Sequence, residues 1–319
     1  MERLLLVDGS NLLFQMFYGM PNAILDGTGR DIRGTVGFLG ALRKILKMVE
    51  PTHVAVLFDG ECENVRMLAD KSYKANRPDY SQVPEEETPF CQLPLIYAAL
   101  EELKLCYRET VCCETDDWIA GYALTLGKDM EVVISSFDSD YFQLITDKVS
   151  VLRYRGDRSM VWTAQTVREK LGIEPGQYAD FKSLTGDSAD NIPGVPKVGP
   201  KTAAQLLRQF GNLKTLLTEA ERIERPMLRE AIQASRERLR LNYSLIRLEN
   251  REELPFTREE LAWKRRDFST RQVLAEIELR EKVMGMAANN SMPFALRGLN
   301  PILSKVKFCI GLIKENTHV

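Results

Sequence analysis

Histidine is nearly missing from this chain: among 319 residues there are two, His53 and His318. The six cysteines, Cys62, Cys91, Cys106, Cys112, Cys113 and Cys309, show no zinc-ligand spacing. A bridge between the adjacent Cys112 and Cys113 would be strained, so the thiols read as reduced, small apolar residues. No apolar run approaches the ~20 residues that cross a bilayer. The start, Met1-Glu2-Arg3-Leu4, passes into a short apolar stretch and then Asp8, with none of the layout of a secretory signal. The expected location is therefore cytoplasmic. No internal repeat or low-complexity segment is present. A basic surplus is also missing: 43 Lys and Arg stand against 45 Asp and Glu, for a net charge of −2. That balance does not by itself point to nucleic acid. Carboxylates gathered in one place would, however, leave the remaining surface more basic than the total implies.

What is present is ordinary globular material, 44% hydrophobic and 28% charged, enough for one large domain or two smaller ones. Residues 3–8 and 53–58 read as buried strands, each delivering a carboxylate, Asp8 and Asp59. A helix is expected over 33–49, ending at Glu50-Pro51. Further helices are expected near 89–104 and 114–127, with strands near 105–110, 131–135 and 149–152. Apolar strands alternating with helices predict a mostly parallel central sheet covered on both faces, an α/β fold. Residues 61–90 are polar, with three consecutive glutamates and several prolines, and read as a functional or mobile loop. No strand is expected after about residue 160. Residues 186–201 are rich in Gly and Pro, and 199–247 read as several charged helices. Residues 287–319 carry no readable pattern.

The acids fall in a pattern. Asp8 and Asp59 follow strands. Glu114, Asp116 and Asp117 open a helix. Asp138 and Asp140 follow the third strong strand, and Asp187 and Asp190 lie three residues apart beside a glycine. Ligands of a parallel sheet bind outside the carboxyl ends of its strands. Spacing i, i+3 predicts that Glu114 with Asp117, and Asp187 with Asp190, share a helix face; spacing i, i+2 would align Asp138 with Asp140 on a strand. Two carboxylates ~5 Å apart repel by about 3 kcal/mol at an effective dielectric near 20. Nine together require cations, and oxygen-only ligands favour Mg²⁺ or Mn²⁺ over zinc. A pair of such ions suits phosphodiester hydrolysis. Taken singly, each acid has a plainer reading. Asp8 before Gly-Ser-Asn is a helix cap, Asp59-Gly60 a turn, Glu114-Thr-Asp-Asp117 a favourable helix start, and Asp138-Ser-Asp140 a loop. Their joint position at strand ends and first turns is what the single readings do not explain.

Two basic regions accompany them. Arg66, Lys71, Lys74 and Arg77 alternate with Tyr73 and Tyr80, which suits a surface that tracks a backbone and stacks bases; a solvated polar loop is the plainer alternative. The run Asn191-Ile-Pro-Gly-Val-Pro-Lys-Val-Gly-Pro-Lys-Thr202 places turns at Gly194 and Gly199 ahead of a helix. With Lys197, Lys201 and Thr202 it reads as a hairpin that grips phosphate without reading sequence, against a purely structural hairpin.

These residues carry a resemblance. Leu6-Val-Asp-Gly-Ser10, Val56-Leu-Phe-Asp59, Tyr73-Lys-Ala-Asn-Arg-Pro78, Glu114-Thr-Asp-Asp117, Ser136-Phe-Asp-Ser-Asp140 and the long run from Gly186 to Ala203 resemble the 5′→3′ exonuclease domain of bacterial DNA polymerase I and the flap endonucleases, over about residues 1–285. The resemblance implies a PIN-like nuclease domain over 1–180 with a polar helical arch at about 61–90. It also implies a helical DNA-binding region over 181–285 with a helix-hairpin-helix-type (H3TH) motif at about 186–210, and leaves a tail over 286–319 without a role. It implies that Asp8, Asp59, Glu114, Asp116, Asp117, Asp138, Asp140, Asp187 and Asp190 hold two divalent ions. Lys74 and Arg66 would act at the scissile phosphate. Arg77, Tyr73, Lys182, Gly194, Lys197, Gly199, Lys201 and Thr202 would bind DNA, and the backbone at Val195 and Val198 would hold K⁺. Phe137, where the family usually has a small residue, and Ser139 are departures. Cleavage of 5′ flaps, nicked or branched duplex and 5′ ends is the implied activity, with RNA primers as further partners and a monomer that stands alone from any polymerase domain. Two rivals stand beside it: a DNA-junction-binding module with little or no cleavage, and a small-molecule phosphohydrolase or RNase.

Overall fold

The computed structural model describes residues 2–60, 65–80, 82–249 and 252–287. Its centre is a six-stranded sheet of β1 (Arg3–Asp8), β2 (His53–Phe58), β3 (Cys106–Glu109), β4 (Glu131–Ser135), β5 (Val149–Arg153) and β6 (Met160–Trp162), in the order β3-β2-β1-β4-β5-β6. The first five strands run parallel, with Val7 level with Val56 on one side and with Ser135 on the other. From β1 the sheet grows outward to β2 and β3, and the chain then returns to build β4 and β5 on the other side. Leu4, Leu5, Leu6 and Val7 have no exposed surface, because β1 is covered on both faces. Each such side chain contributes about 1.5–3 kcal/mol of burial.

The helices are α1 (Gly9–Gly19), α2 (Arg33–Val49), α3 (Val65–Ala69), α4 (Leu93–Glu102), α5 (Thr115–Leu126), α6 (Ala164–Leu171), α7 (Tyr178–Thr185), α8 (Pro200–Phe210), α9 (Leu213–Thr218), α10 (Pro226–Ala234), α11 (Arg236–Ile246) and α12 (Thr270–Ala287). Their ends follow local chemistry. Asp8 caps α1, its carboxylate accepting from the Asn11 amide at 2.9 Å. Glu50 closes α2 in the left-handed region at φ 49°, and Pro51 prevents continuation. One apolar core runs from Leu4, Leu57, Ile134 and Val151 of the sheet to Leu207, Leu216 and Leu239 of the later helices. A second unit begins at Leu274, inside α12.

Two expectations need correction. Strand structure continues past residue 160: β6 pairs antiparallel with β5 at the sheet edge. Three residues, of which Met160 and Val161 are exposed, are too few for a periodic signal. Gly186–Asp187 (β7) and Ile192–Pro193 (β8) also pair antiparallel, as a two-residue clasp. Its tightness requires glycine: a Cβ on Gly194 would lie 2.3 Å from the carbonyl carbon of Thr185, and Gly186 sits at φ 80°. The expected tail over 286–319 falls almost wholly outside the described residues, as do 61–64 and 81 of the expected arch.

Candidate active site

The carboxyl ends of β1 and β4 and the start of α5 meet in one acidic pocket. Asp8, buried at the end of β1, accepts from Ser136 Oγ at 2.8 Å through the oxygen that does not cap α1, and Tyr141 Oη lies 3.3 Å from the same atom. The same tyrosine hydroxyl is 2.5 Å from Asp116 Oδ1. One phenolic proton cannot serve both carboxylates at once, so the pair is satisfied when one acid is itself protonated or a cation replaces the proton. Ser136 Oγ also accepts from the Asp138 amide at 3.0 Å, and Asp138 Oδ1 accepts from the Asp140 amide at 2.8 Å. Asp140 opens a 3₁₀ turn rather than following Asp138 along a strand. These two acids are therefore brought together by a turn, not by the pleat expected from their spacing.

Asp140, Asp187 and Asp190 form the second half. One carboxylate oxygen from each lies within 4.8 Å of the others. Here too the expected helix face is absent: Asp187 lies in β7 and Asp190 in the turn that follows, with the Ala189 amide donating to Asp187 Oδ1 at 2.9 Å. Asp140 Oδ1 is fully buried and has no hydrogen-bond partner. Such an orphaned acceptor among carboxylates is what a cation-binding oxygen looks like without its cation.

The electrostatics agree. Burial, reinforced by Asp59, pushes the Asp8 carboxyl from 3.8 up to about 7. Burial and then Asp138 hold Asp116 and Asp140 well above the usual carboxylate range. Burial likewise raises Asp138, against the lowering effect of the Asp140 amide. Without cations this pocket keeps protons that isolated aspartates would lose. Oxygen-only donors, an orphaned oxygen and mutual repulsion all fit hard divalent ions.

A cationic wing flanks the acids. Arg66 grips Asp117 with both terminal nitrogens, at 3.0 and 2.6 Å, and reaches Glu114 Oε2 at 2.9 Å. Lys74 Nζ lies 2.5 Å from Glu114 Oε1. Burial alone would raise Glu114, but Lys74 and Arg66 outweigh it and hold the carboxyl below its ordinary value. Glu114 and Asp117 also cap α5 reciprocally. Asp59 is exposed at the rim, where its Oδ1 accepts from the Thr115 amide at 2.9 Å.

The basic residues divide. Arg77 pairs with Asp190 at 2.8 Å and stays half exposed. Lys182 does not face outward: its ammonium lies 2.5 Å from Asp187 Oδ2, inside the acidic cluster. Tyr73 is not available for base stacking as expected. It is 5% exposed, packs with Ala179, Ile192 and Leu245, and donates to Glu114 Oε2 at 3.2 Å. An alternating aromatic and basic pattern does not distinguish a stacking face from a buried anchor. Lys197, Gly199 and Lys201 are exposed at the start of α8, and Gly194 and Thr202 are partly covered. The side chains of Val195 and Val198 point into the core. Phe137 lies beside Asp138 with the Arg155 guanidinium 4.8 Å above its ring. Sequence gives Tyr141 and Asn11 no role, and quotes Ser136 only as the start of the Ser136–Asp140 run without assigning it one. Asn11 accepts from the Phe137 amide at 3.0 Å and directly follows the Leu6–Ser10 run, the signal that could have found it.

Comparison with known proteins places the chain in a family. Residues 3–172 match the model of the 5′-3′ exonuclease N-terminal resolvase-like domain, and residues 173–269 that of the 5′-3′ exonuclease C-terminal SAM fold. DNA polymerase I of Rhizobium leguminosarum is 38% identical over 255 residues, covering 77% of this chain, which spans 24% of that relative's own length. A 5′-3′ exonuclease of Aquifex aeolicus is 30% identical over 300 residues, covering 92% of this chain and 100% of the relative. A bacteriophage T5 flap endonuclease, solved as a pseudo-enzyme-product complex with DNA and metal ions, shares the fold with a TM-score of 0.62 at 23% identity, over 88% of this chain and 100% of that one. The acidic pocket therefore sits in a shared architecture, and the chain belongs to the 5′-3′ exonuclease family.

Proposed function

We propose that this chain is a structure-specific 5′→3′ exonuclease and flap endonuclease, hydrolysing DNA phosphodiester bonds by a two-metal-ion route that leaves 5′-phosphorylated products. The observation that carries this reading is the orphaned, buried Asp140 Oδ1 among converging carboxylates. Two bound Mg²⁺ or Mn²⁺ ions would supply an activated water and neutralise charge on the phosphate. Asp8, Asp116 and Asp138 would hold one side of the pocket and Asp140, Asp187 and Asp190 the other, with Asp59, Glu114 and Asp117 completing the set. Ser136 and Tyr141 orient Asp8 and Asp116. Lys74 and Arg66, both largely buried, present fixed positive charge beside the acids and would stabilise negative charge on the phosphate as it builds.

The reading gives residues 1–180 the chemistry, with an arch at 61–90, and residues 181–285 the duplex. Arg77, Lys182, Gly194, Lys197, Gly199, Lys201 and Thr202 would contact DNA, and K⁺ would sit at the backbone of Val195 and Val198. Branched or nicked DNA and 5′ ends are the proposed substrates, with RNA primers as further ones, acted on by a monomer in the cytoplasm. No helix among the described residues is long and apolar enough to cross a membrane.

A 5′ flap labelled at its end, incubated with Mg²⁺ and in parallel with EDTA, tests this. Release of a short labelled fragment ending in a 3′-hydroxyl, with the new 5′-phosphate on the strand left in the duplex, only with Mg²⁺ and lost in Asp138→Asn, is the expected result. A flap that is shifted on a gel but remains whole would make the chain a junction-binding module instead.

A further inference from the structure

Lys74 has a positive φ of 58°, which a residue with a side chain rarely adopts, and Asn191 opposite it has φ 57°. Between them the segments 72–77 and 188–191, more than a hundred residues apart in sequence, are joined by crossed hydrogen bonds. The Lys74 amide donates to the Asp190 carbonyl at 2.9 Å. Asn191 Nδ2 donates to the Ser72 carbonyl at 2.8 Å, and Asn76 Nδ2 donates to the Ser188 carbonyl at 2.7 Å. Each asparagine thus uses its side chain to hold the other segment's main chain. Below the clasp, buried Tyr73 fixes the depth of the first segment.

The geometry matters for one atom. A lysine ammonium ends a flexible stem, and the direction of that stem is set by backbone φ and ψ. Left-handed backbone at a lysine persists only where its surroundings over-determine it. Relaxation to the right-handed region would swing the Cα–Cβ bond and withdraw the ammonium from Glu114 Oε1, where it now lies at 2.5 Å. Glycine would relieve the strain but would remove the cation, so the clasp does what glycine does elsewhere.

We infer that Asn191 and Asn76 are positioning residues for Lys74, so that the turn carrying Asp187 and Asp190 also aligns the cation across the pocket. The inference rests on the role given to Lys74 under the proposed function. Neither asparagine side chain donates to a carboxylate of the pocket; both amides reach main-chain oxygens, so their effect is transmitted through the backbone.

A double-mutant cycle on a 5′ flap tests it. Asn191→Ala combined with Asn76→Ala is expected to lower kcat about tenfold, the scale of one to two hydrogen bonds, with KM and DNA Kd changed less than about twofold. In a Lys74→Ala background the same pair of substitutions is expected to cause no further loss. Asn191→Asp keeps the shape and the tolerance of positive φ but cannot donate, and should behave as Asn191→Ala; Asn191→Gly should not restore kcat. Equal losses in the two backgrounds would overturn the inference, as would full activity of Asn191→Gly or a loss expressed in DNA binding. Melting curves identify any variant that fails to fold, in which case the Asn191→Asp cycle decides. A wild-type chain that does not cut the flap would instead defeat the proposed function and leave the clasp unconnected to catalysis.

Discussion

Replacing Asp8 by asparagine should make the metal-free protein more stable, although it removes a residue from the heart of the site. Its carboxyl is raised from 3.8 to about 7 by burial and by Asp59. That rise corresponds to about 4 kcal/mol, an upper bound on what ionising Asp8 costs the folded state. The sign follows from linkage. The folded carboxyl holds its proton where the unfolded one has lost it, so this contribution to stability is full below about pH 4. It is lost as pH rises through about 7. Asparagine can still cap α1, since its oxygen can accept from the Asn11 amide and its amide can face Ser136. In EDTA at pH 8.5, Asp8→Asn should therefore melt about 5 °C or more above the wild type, at about 2–4 °C per kcal/mol. At pH 5, where Asp8 is neutral in the folded state but still largely ionised in the unfolded one, the gap should narrow, and it should close only below about pH 4. Mg²⁺ should raise the wild-type midpoint more than that of the variant, because binding to the folded state alone relieves the same repulsion. Differential scanning fluorimetry at the two pH values, with and without Mg²⁺, reads all four numbers. A variant that melts below the wild type at pH 8.5, or a gap independent of pH, would refute the electrostatic argument.

Three further outcomes are expected. Lys74→Ala should lower kcat on a 5′ flap about 10²–10³-fold with a small change in DNA affinity, read by single-turnover cleavage. Arg66→Met leaves buried Glu114 and Asp117 without their shared cation and should cost about 3–5 kcal/mol of stability in urea unfolding, far more than loss of an exposed ion pair. Gly194→Ala forces a methyl against the Thr185 backbone and should cost about 2–3 kcal/mol while weakening duplex binding in a filter assay, whereas Gly199→Ala, which meets nothing within 4 Å, should fold normally.

The parallel core was legible because both its faces are buried: runs such as Leu4-Leu-Leu-Val7 and Val54-Ala-Val-Leu-Phe58 carry that signal without ambiguity. Placement of the acids after these runs was legible for the same reason. Less was readable where short-range geometry replaces regular structure. Spacing rules for helices and strands assigned shared faces to Asp138 with Asp140 and to Asp187 with Asp190, and both pairs converge through turns instead. Tyr73 shows the limit of composition: an aromatic between cations reads as a stacking surface until its neighbours from α11 are known, and those lie about 170 residues away in sequence. Tyr141 could be read only once Asp8 and Asp116 were placed on either side of its hydroxyl, since nothing local marks a buried phenol as a shared donor.

The strand order has a consequence for what the site can become. The segments leaving β1 and β4 depart to opposite sides of the sheet, so the opening between them is a product of winding and owes nothing to the carboxylates that line it. Stripping those acids away would leave the strand order untouched and remove only the negative charge at the strand ends. Under the function proposed above, a descendant that gave up hydrolysis would thus keep the scaffold, trading a cutting edge for a saddle.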